Sequence, residues 1–369
     1  MAPFRPWASI PSELLLLISD GFSHLESYCR ARGVCSAWRA ALPPPIPSLV
    51  TVTTTIQPGA PPPLRPQAPV MSALFLPAGR SYPLTTLSRG SRCVGSSSGW
   101  LAVDSRPNSL GIYLVSRLLG SVQPSTFLSS RSGTDYVAVA ICGPRRLAYT
   151  KTRDMKWILL DVAAVGERDR FVDLAFDAGA GRVYCVTLLG DVHVLHIPRR
   201  QRRRPVVEPL LQAAAERAGD AASRFTGASK NVFFFGGDLY QAWRNTTGAA
   251  VSWAVPGGGR FIGMAKDEVF VLRYDPERRR PCWDAVKDLG GCSVFVGKNQ
   301  PVVLRAQDTP GVRPNCVYWI NERSRNEPMI FDMANGTSTV HPSAAKSLCP
   351  SCVPVCWYFL DDCVQVSQK

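Results

Sequence analysis

The sequence lacks any apolar run long enough to cross a membrane, and its first apolar run makes a poor secretion signal. That run, Leu14 to Ile18, is preceded by Pro11, Ser12 and Glu13 and ended by Ser19 and Asp20. A span takes about 20 apolar residues and a signal core roughly 7–15. Aromatic residues are missing from the densest basic stretch, "PRRQRRRP" at 198–205, so it has none of the stacking surfaces that bind single-stranded nucleic acid. Catalytic constellations are equally scarce. "GSSSG" at 95–99 places Ser97 at the centre of a nucleophile-elbow pattern, but "WLAVD" follows it, which is strand rather than helix. Only His193, His196 and His341 lie downstream as bases. His193 and His196 fall on opposite faces of a strand and so do not share a metal. Cys349, Cys352, Cys356 and Cys363 begin with zinc-like spacing, but a second regular pair is missing. No catalytic residue, metal ligand set or cofactor is expected, and the chain reads as a non-enzyme.

What is present describes a globular protein with a substantial core. The chain has 369 residues, 46% of them hydrophobic, enough for two or three domains. Its twelve cysteines are scattered along the chain, which favours reduced thiols in the cytosol or nucleus over a disulfide framework. The net charge of +14 arises from 42 basic and 28 acidic residues. Arg199, Arg200, Arg202, Arg203 and Arg204 form its densest cluster. They read first as a solvated loop between strands, and second as a nuclear-import run or a polyanion patch.

The N-terminal segment is helical. "SIPSELLLLISDGF" at 9–22 puts Pro11 and Glu13 at a helix start and its leucines behind them. At about 100° per residue these leucines surround the axis, so one core cannot cover them all. "HLESYCRARGVCSAWRAALPPP" gives two more short helices, broken at Gly33 and stopped by Pro43. So small a module with surplus leucines calls for burial against something else.

Trp7, Ile10, Pro11, Glu13, Leu14, Leu15 and Ile18, followed by "YCRARGVCSAWR" from Tyr28 to Arg39, resemble an F-box. The likeness covers residues 7 to 42 and departs at Gly21-Phe22, where the family usually carries a basic residue and then leucine. It implies binding to a Skp-type adaptor, and through it a cullin, by Ile10, Pro11, Leu14, Leu15, Ile18, Val34, Cys35, Trp38 and Arg39.

Residues 43–70 are dense in proline and read as a semi-rigid spacer. Beyond it the pattern is β: "KWILLD", "VDLAFD", "NVFFFGGDLYQAW", "DEVFVLRYD" and "CVYWI" are short apolar or alternating runs. Only "PLLQAAAERAGDAASR", near 209–224, reads as helix. Runs beginning near Gly99, Leu147, Asp191 and Asp238 recur about every 44–48 residues, a propeller-like period that predicts six or seven blades. "MSALFLP" and "PVCWYFL" are expected to pair and close the ring, which would leave no exposed sheet edge.

"CVGSSSGWLAV" (93–103), "GGDLY" (236–240), "DLGGCSVFVG" (288–297), "NCVYW" (315–319) and "MIFDM" (329–333) resemble a plant-specific domain of unknown function. That domain commonly follows an F-box, including in the kinase-interacting F-box proteins, and the likeness runs from about 71 to 359. The expectation is therefore mainly β with a small N-terminal α module: an F-box at 1–42, the linker at 43–70 and a β-propeller-like target-binding domain at 71–369. The function implied is substrate recognition for a Skp–cullin–F-box ubiquitin ligase in the nucleus and/or cytoplasm. Its partners are the adaptor and an unidentified protein target, with no membrane. A scaffold outside any ligase and a basic nucleic-acid-associated protein are the alternatives.

Overall fold

The computed structural model describes residues 7–42, 46–53, 69–76, 78–87, 91–97, 100–104, 112–116, 122–123, 129–132, 135–151, 157–177, 180–198, 205–211, 228–247, 249–254, 261–277 and 281–359. Among the described residues, a 3-10 turn at Trp7–Ser9 is followed by three short α-helices: α1 (Ser12–Asp20), α2 (Leu25–Arg32) and α3 (Ser36–Ala41). Pro11 caps α1 with φ −54°, and its carbonyl accepts the Leu14 and Leu15 N–H groups at 3.1 Å each. Gly21 ends the helix. Thus the glycine that departs from the F-box pattern serves as a C-cap, and Phe22 beside it packs against the module's own core.

Strands follow, grouped in sheets along the chain as in a β-propeller. The second sheet runs Arg92–Ser97, Trp100–Asp104, Ile112–Ser116 and Val122–Gln123. The third runs Ser129–Ser132, Asp135–Gly143, Arg146–Lys151 and Ile158–Asp161. The fourth comprises Phe171–Asp177, Arg182–Thr187, Val192–His196 and Val206–Pro209, and the fifth Ala228–Phe235, Asp238–Asn245, Val269–Asp275 and Cys282–Val286. A hairpin, Val251–Ala254 with Phe261–Met264, is inserted in the fifth. End strands of neighbouring sheets touch: Phe171–Asp177 meets Ala228–Phe235, and Cys352–Tyr358 meets Arg92–Ser97.

The blade count differs from the expectation of six or seven. Among the described residues, five sheets are regular four-stranded antiparallel blades, counting the closing sheet described next. The last sheet has five strands, and in it Cys292–Phe295 pairs in parallel with Cys316–Asn321. The apparent repeat also slipped register. Gly99 precedes a second strand, Leu147 lies in a third strand, and Asp191 precedes another third strand. Loops of unequal length let one fixed period sample different strands.

The ring closes through a strand that the composition hid. "MSALFLP" and "PVCWYFL" share a sheet but do not pair with each other. Ser48–Thr53 lies between them, bonded to Val70–Phe75 on one side and Cys352–Tyr358 on the other. The 43–70 segment is therefore not a continuous spacer. Within it "SLVTVT" carries four successive β-branched residues, and Leu49 and Val50 are completely buried. Their cluster includes Leu74, Phe75, Tyr82 and Trp357. Burying one such aliphatic side chain contributes about 1.5–3 kcal/mol, so this strand is part of the core. The helical expectation near 209–224 falls largely outside the described residues; Val206–Pro209 at its edge is strand.

Candidate functional site

The N-terminal helices sort their apolar residues between two destinations. Leu15, at 2% exposure, packs with Tyr28, Ala31 and Leu42 in a small core, with Ile10, Phe22 and Trp38 against it. Ser19, one turn on from Leu15, is buried too, and its Oγ donates to the Leu16 carbonyl at 2.7 Å. Buried Arg32 fixes the end of α3 by donating from Nε to the Leu42 carbonyl at 3.0 Å. Trp38 donates from Nε1 to the Trp7 carbonyl at 2.7 Å.

Leu14, Leu17 and Ile18 face outward at 51%, 65% and 47% exposure. Their spacing of three and four places them side by side on one helix face. Leu16, Trp7 and Val34 are exposed as well. Of the residues expected at an adaptor contact, Pro11, Leu14, Ile18, Val34 and Arg39 are exposed, whereas Ile10, Cys35 and Trp38 are partly covered. Leu15 does not belong to that set: it is consumed by the module's own core. Leu16 and Leu17 were not singled out from sequence, although an all-round apolar helix contained their signal, and Trp7 was read as part of the motif but not as a contact residue.

The helices also rest on the propeller. Leu25 joins the large cluster of the closing sheet, and Cys29 packs against it. Arg80, on strand Arg80–Thr86 of that sheet, donates to the Ser19 carbonyl at 3.3 Å and pairs with Asp20.

Within the propeller, buried polar groups link neighbouring blades. Asp173 Oδ2 accepts the Asn231 side-chain amide and the Val232 N–H, each at 3.0 Å, and Asn231 also donates to the Gly297 carbonyl at 3.3 Å. Burial pushes the Asp173 carboxyl up to about 7 against the pull of these hydrogen bonds. Lys230 donates from Nζ to the Leu188 carbonyl and lies 4.7 Å from the Trp243 ring centroid. Burial lowers its ammonium to about 7, opposed by Asp169 and Asp191. Arg244 stacks 4.5 Å from the Trp319 ring and donates to the Ile320 carbonyl at 3.3 Å. Burial brings its guanidinium down to about 10.

Ser96 and Ser97 of "GSSSG" are engaged structurally. Ser96 donates to the Trp357 carbonyl, and Ser97 donates to Gln300 Oε1 at 2.5 Å. The Gln300 N–H returns to the Ser96 carbonyl at 2.8 Å. A Cβ at Gly95 would stand 2.4 Å from the Lys298 carbonyl oxygen, so the backbone approach requires glycine there. His193 is buried edge-on against Phe171, at 5.8 Å between ring centroids, while His196 faces Glu208 at 3.8 Å. The two occupy opposite faces, as their spacing predicts.

Cys349 and Cys352 are joined in a disulfide. The expectation of reduced thiols is therefore corrected at this pair, because a two-residue turn brings the sulfurs together; Cys93, Cys185, Cys282, Cys292, Cys316 and Cys356 are thiols. Arg199, Arg200, Arg202, Arg203 and Arg204 lie outside the described residues. Their flanks are antiparallel partners, His196 opposite Val206, so the run connects two strands of one blade.

A search of curated proteins finds no match to this chain. The family description KIB1-4 beta-propeller matches residues 71–332, from the second strand of the closing sheet to Asp332 in the five-stranded sheet. With most of its length matched over the blades just described, the chain belongs to the KIB1-4 beta-propeller family.

Proposed function

We propose that this chain is a substrate-recognition adaptor of a Skp–cullin–F-box ubiquitin ligase. In this reading the helices bind the Skp-type adaptor, the propeller binds a protein target, and the chain works in the nucleus and/or cytoplasm. The observation that carries the reading is the exposed Leu14, Leu17 and Ile18 stripe on a helical module whose own core is already filled by Leu15, Tyr28 and Leu42. Each of the three is already partly covered, so burying the remainder would contribute about 1–2 kcal/mol apiece. A stripe of this kind is the usual form of a helix-borne docking contact. No catalytic step falls to this chain, because ubiquitin transfer would belong to its partners.

The test is a double variant, Leu14→Asp with Leu17→Asp, in the full chain. Both side chains are at least half exposed, so the fold should survive, as shown by an unchanged circular dichroism spectrum and melting temperature. Capture of a purified Skp-type adaptor should be lost. Retained capture by the folded double variant refutes the reading. Leu15→Ala is unsuitable as a binding test, since it would empty the module's core and lose binding through unfolding.

A further inference from the structure

The Cys349–Cys352 bridge stands where the chain leaves α4 (Pro342–Ser347) and enters the ring-closing strand Cys352–Tyr358. Cys349 is exposed and Cys352 half-buried. The Cys352 N–H donates to the Cys349 carbonyl at 3.0 Å, forming the turn that brings the sulfurs together. On the strand, Cys352 is paired with Thr53, and its Sγ lies 3.8 Å from the Thr53 hydroxyl.

A disulfide stabilises chiefly by closing a long loop in the unfolded chain. This one spans a sequence separation of 3, so it removes little unfolded-state freedom. Burial raises the Cys185 and Cys316 thiols, the latter to about 11, leaving them poorly nucleophilic. The bridged pair contrasts with them in its exposure as well as its oxidation state. A short, accessible bridge of little structural value fits reversible chemistry better than fixed cross-linking.

We propose that Cys349 and Cys352 form a thiol–disulfide exchange site at the closure of the propeller, with dithiols as its reductants. A thiolate of the dithiol attacks the exposed Cys349 sulfur. The Cys349–Cys352 bond breaks, and Cys352 leaves as a thiolate to which the Thr53 hydroxyl can donate before a proton arrives from water. The second thiol of the reductant then displaces Cys349 from the mixed disulfide. Two electrons pass to the protein, both cysteines end as thiols, and the reductant ends as its own disulfide. Because Cys352 and Thr53 form the first rung between the closing strand and its neighbour, the redox state acts on that rung.

The test uses the full-length chain, oxidised in air and kept folded. N-ethylmaleimide labelling followed by peptide mass spectrometry should leave Cys349 and Cys352 unlabelled before dithiothreitol and label both after it. Oxidised dithiothreitol in excess should reverse the change, and the melting temperature of the two forms should agree within about 5 °C. With glutathione disulfide, Cys349 in the Cys352→Ser variant should form a mixed disulfide at least about tenfold faster than Cys352 in the Cys349→Ser variant. Labelling of both residues without reductant, reduction only in denaturant, or equal adduct rates in the two variants overturns the proposal.

Discussion

Replacing Asp173 with asparagine should remove a specific part of the pH dependence of stability. Its carboxylate is enclosed between strands of two blades, accepting from Asn231 and Val232, and burial raises its pKa from the ordinary 3.8 to about 7. A raised carboxyl binds its proton more tightly in the folded chain than in the unfolded one. Its contribution to stability is therefore greatest below 3.8 and is lost as pH rises to about 7. Between pH 5 and pH 8 that loss amounts to about 2–3 kcal/mol. Asparagine has nearly the same shape, keeps an oxygen for the Val232 N–H, and does not titrate. Urea unfolding of both proteins at pH 5 and pH 8 gives four stabilities, and the difference of differences cancels groups common to both chains. Lys230 is one such group: with its pKa lowered to about 7, it costs stability as pH falls from 10.5 toward 7. Relative to wild type, Asp173→Asn should gain about 2–3 kcal/mol on going from pH 5 to pH 8. An equal gap at the two pH values, or a change of opposite sign, refutes the argument that this carboxyl is held protonated by burial.

Gly95→Ala should lower the urea midpoint by an amount equivalent to about 1–3 kcal/mol, because the new Cβ meets a backbone oxygen that cannot rotate away; an unchanged midpoint would mean that the Lys298 segment does not press on this strand. Arg80→Ala removes the Asp20 pair and the bond to the Ser19 carbonyl, both partly exposed, at a cost of at most about 1 kcal/mol. Hydrogen exchange should then quicken in residues 12–32 and not in Arg80–Thr86, and equal protection in the variant contradicts the docking contact. Changing Arg199, Arg200, Arg202, Arg203 and Arg204 together to glutamine should alter stability by less than about 0.5 kcal/mol. Should the run direct import, a fluorescent fusion will leave the nucleus; unchanged localisation discards that role, and a large drop in melting temperature assigns the run to the fold.

Local chemistry made the helices and most strands legible. Pro11 ahead of the leucines, Gly33 between helices and Pro43 after the third are punctuation that acts within a few residues. The β runs were equally readable because alternation is a local property. Ser48–Thr53 escaped because prolines on both sides dominated the composition of the window, while its partners lie in Val70–Phe75 and, across the whole chain, in Cys352–Tyr358. Leu15 could not be separated from Leu14 by hydropathy, since only the placement of α2 and α3 decides which leucine faces inward. Asp173 gave no sequence signal at all: it lies in an ordinary strand pattern, and its environment comes from Asn231 and Val232 in the next blade.

The docking of the helices has a consequence for the proposed ligase role. A target held by a propeller is useful to a ligase only if the propeller keeps a defined orientation to the adaptor. A proline spacer spanning residues 43–70 would allow many orientations, and each doubling of such a tether changes closure entropy by only about 0.6 kcal/mol. Here the free connection after α3 is cut short, because Ser48–Thr53 is already built into the closing sheet. Leu25 enters the same cluster as Leu49 and Trp357, and Arg80 grips the end of α1. The exposed Leu14, Leu17 and Ile18 stripe is therefore carried on the sheet that joins the two ends of the ring. An adaptor seated on that stripe would hold the blades in one orientation through packed apolar surface and the Arg80 contact, rather than through a tether.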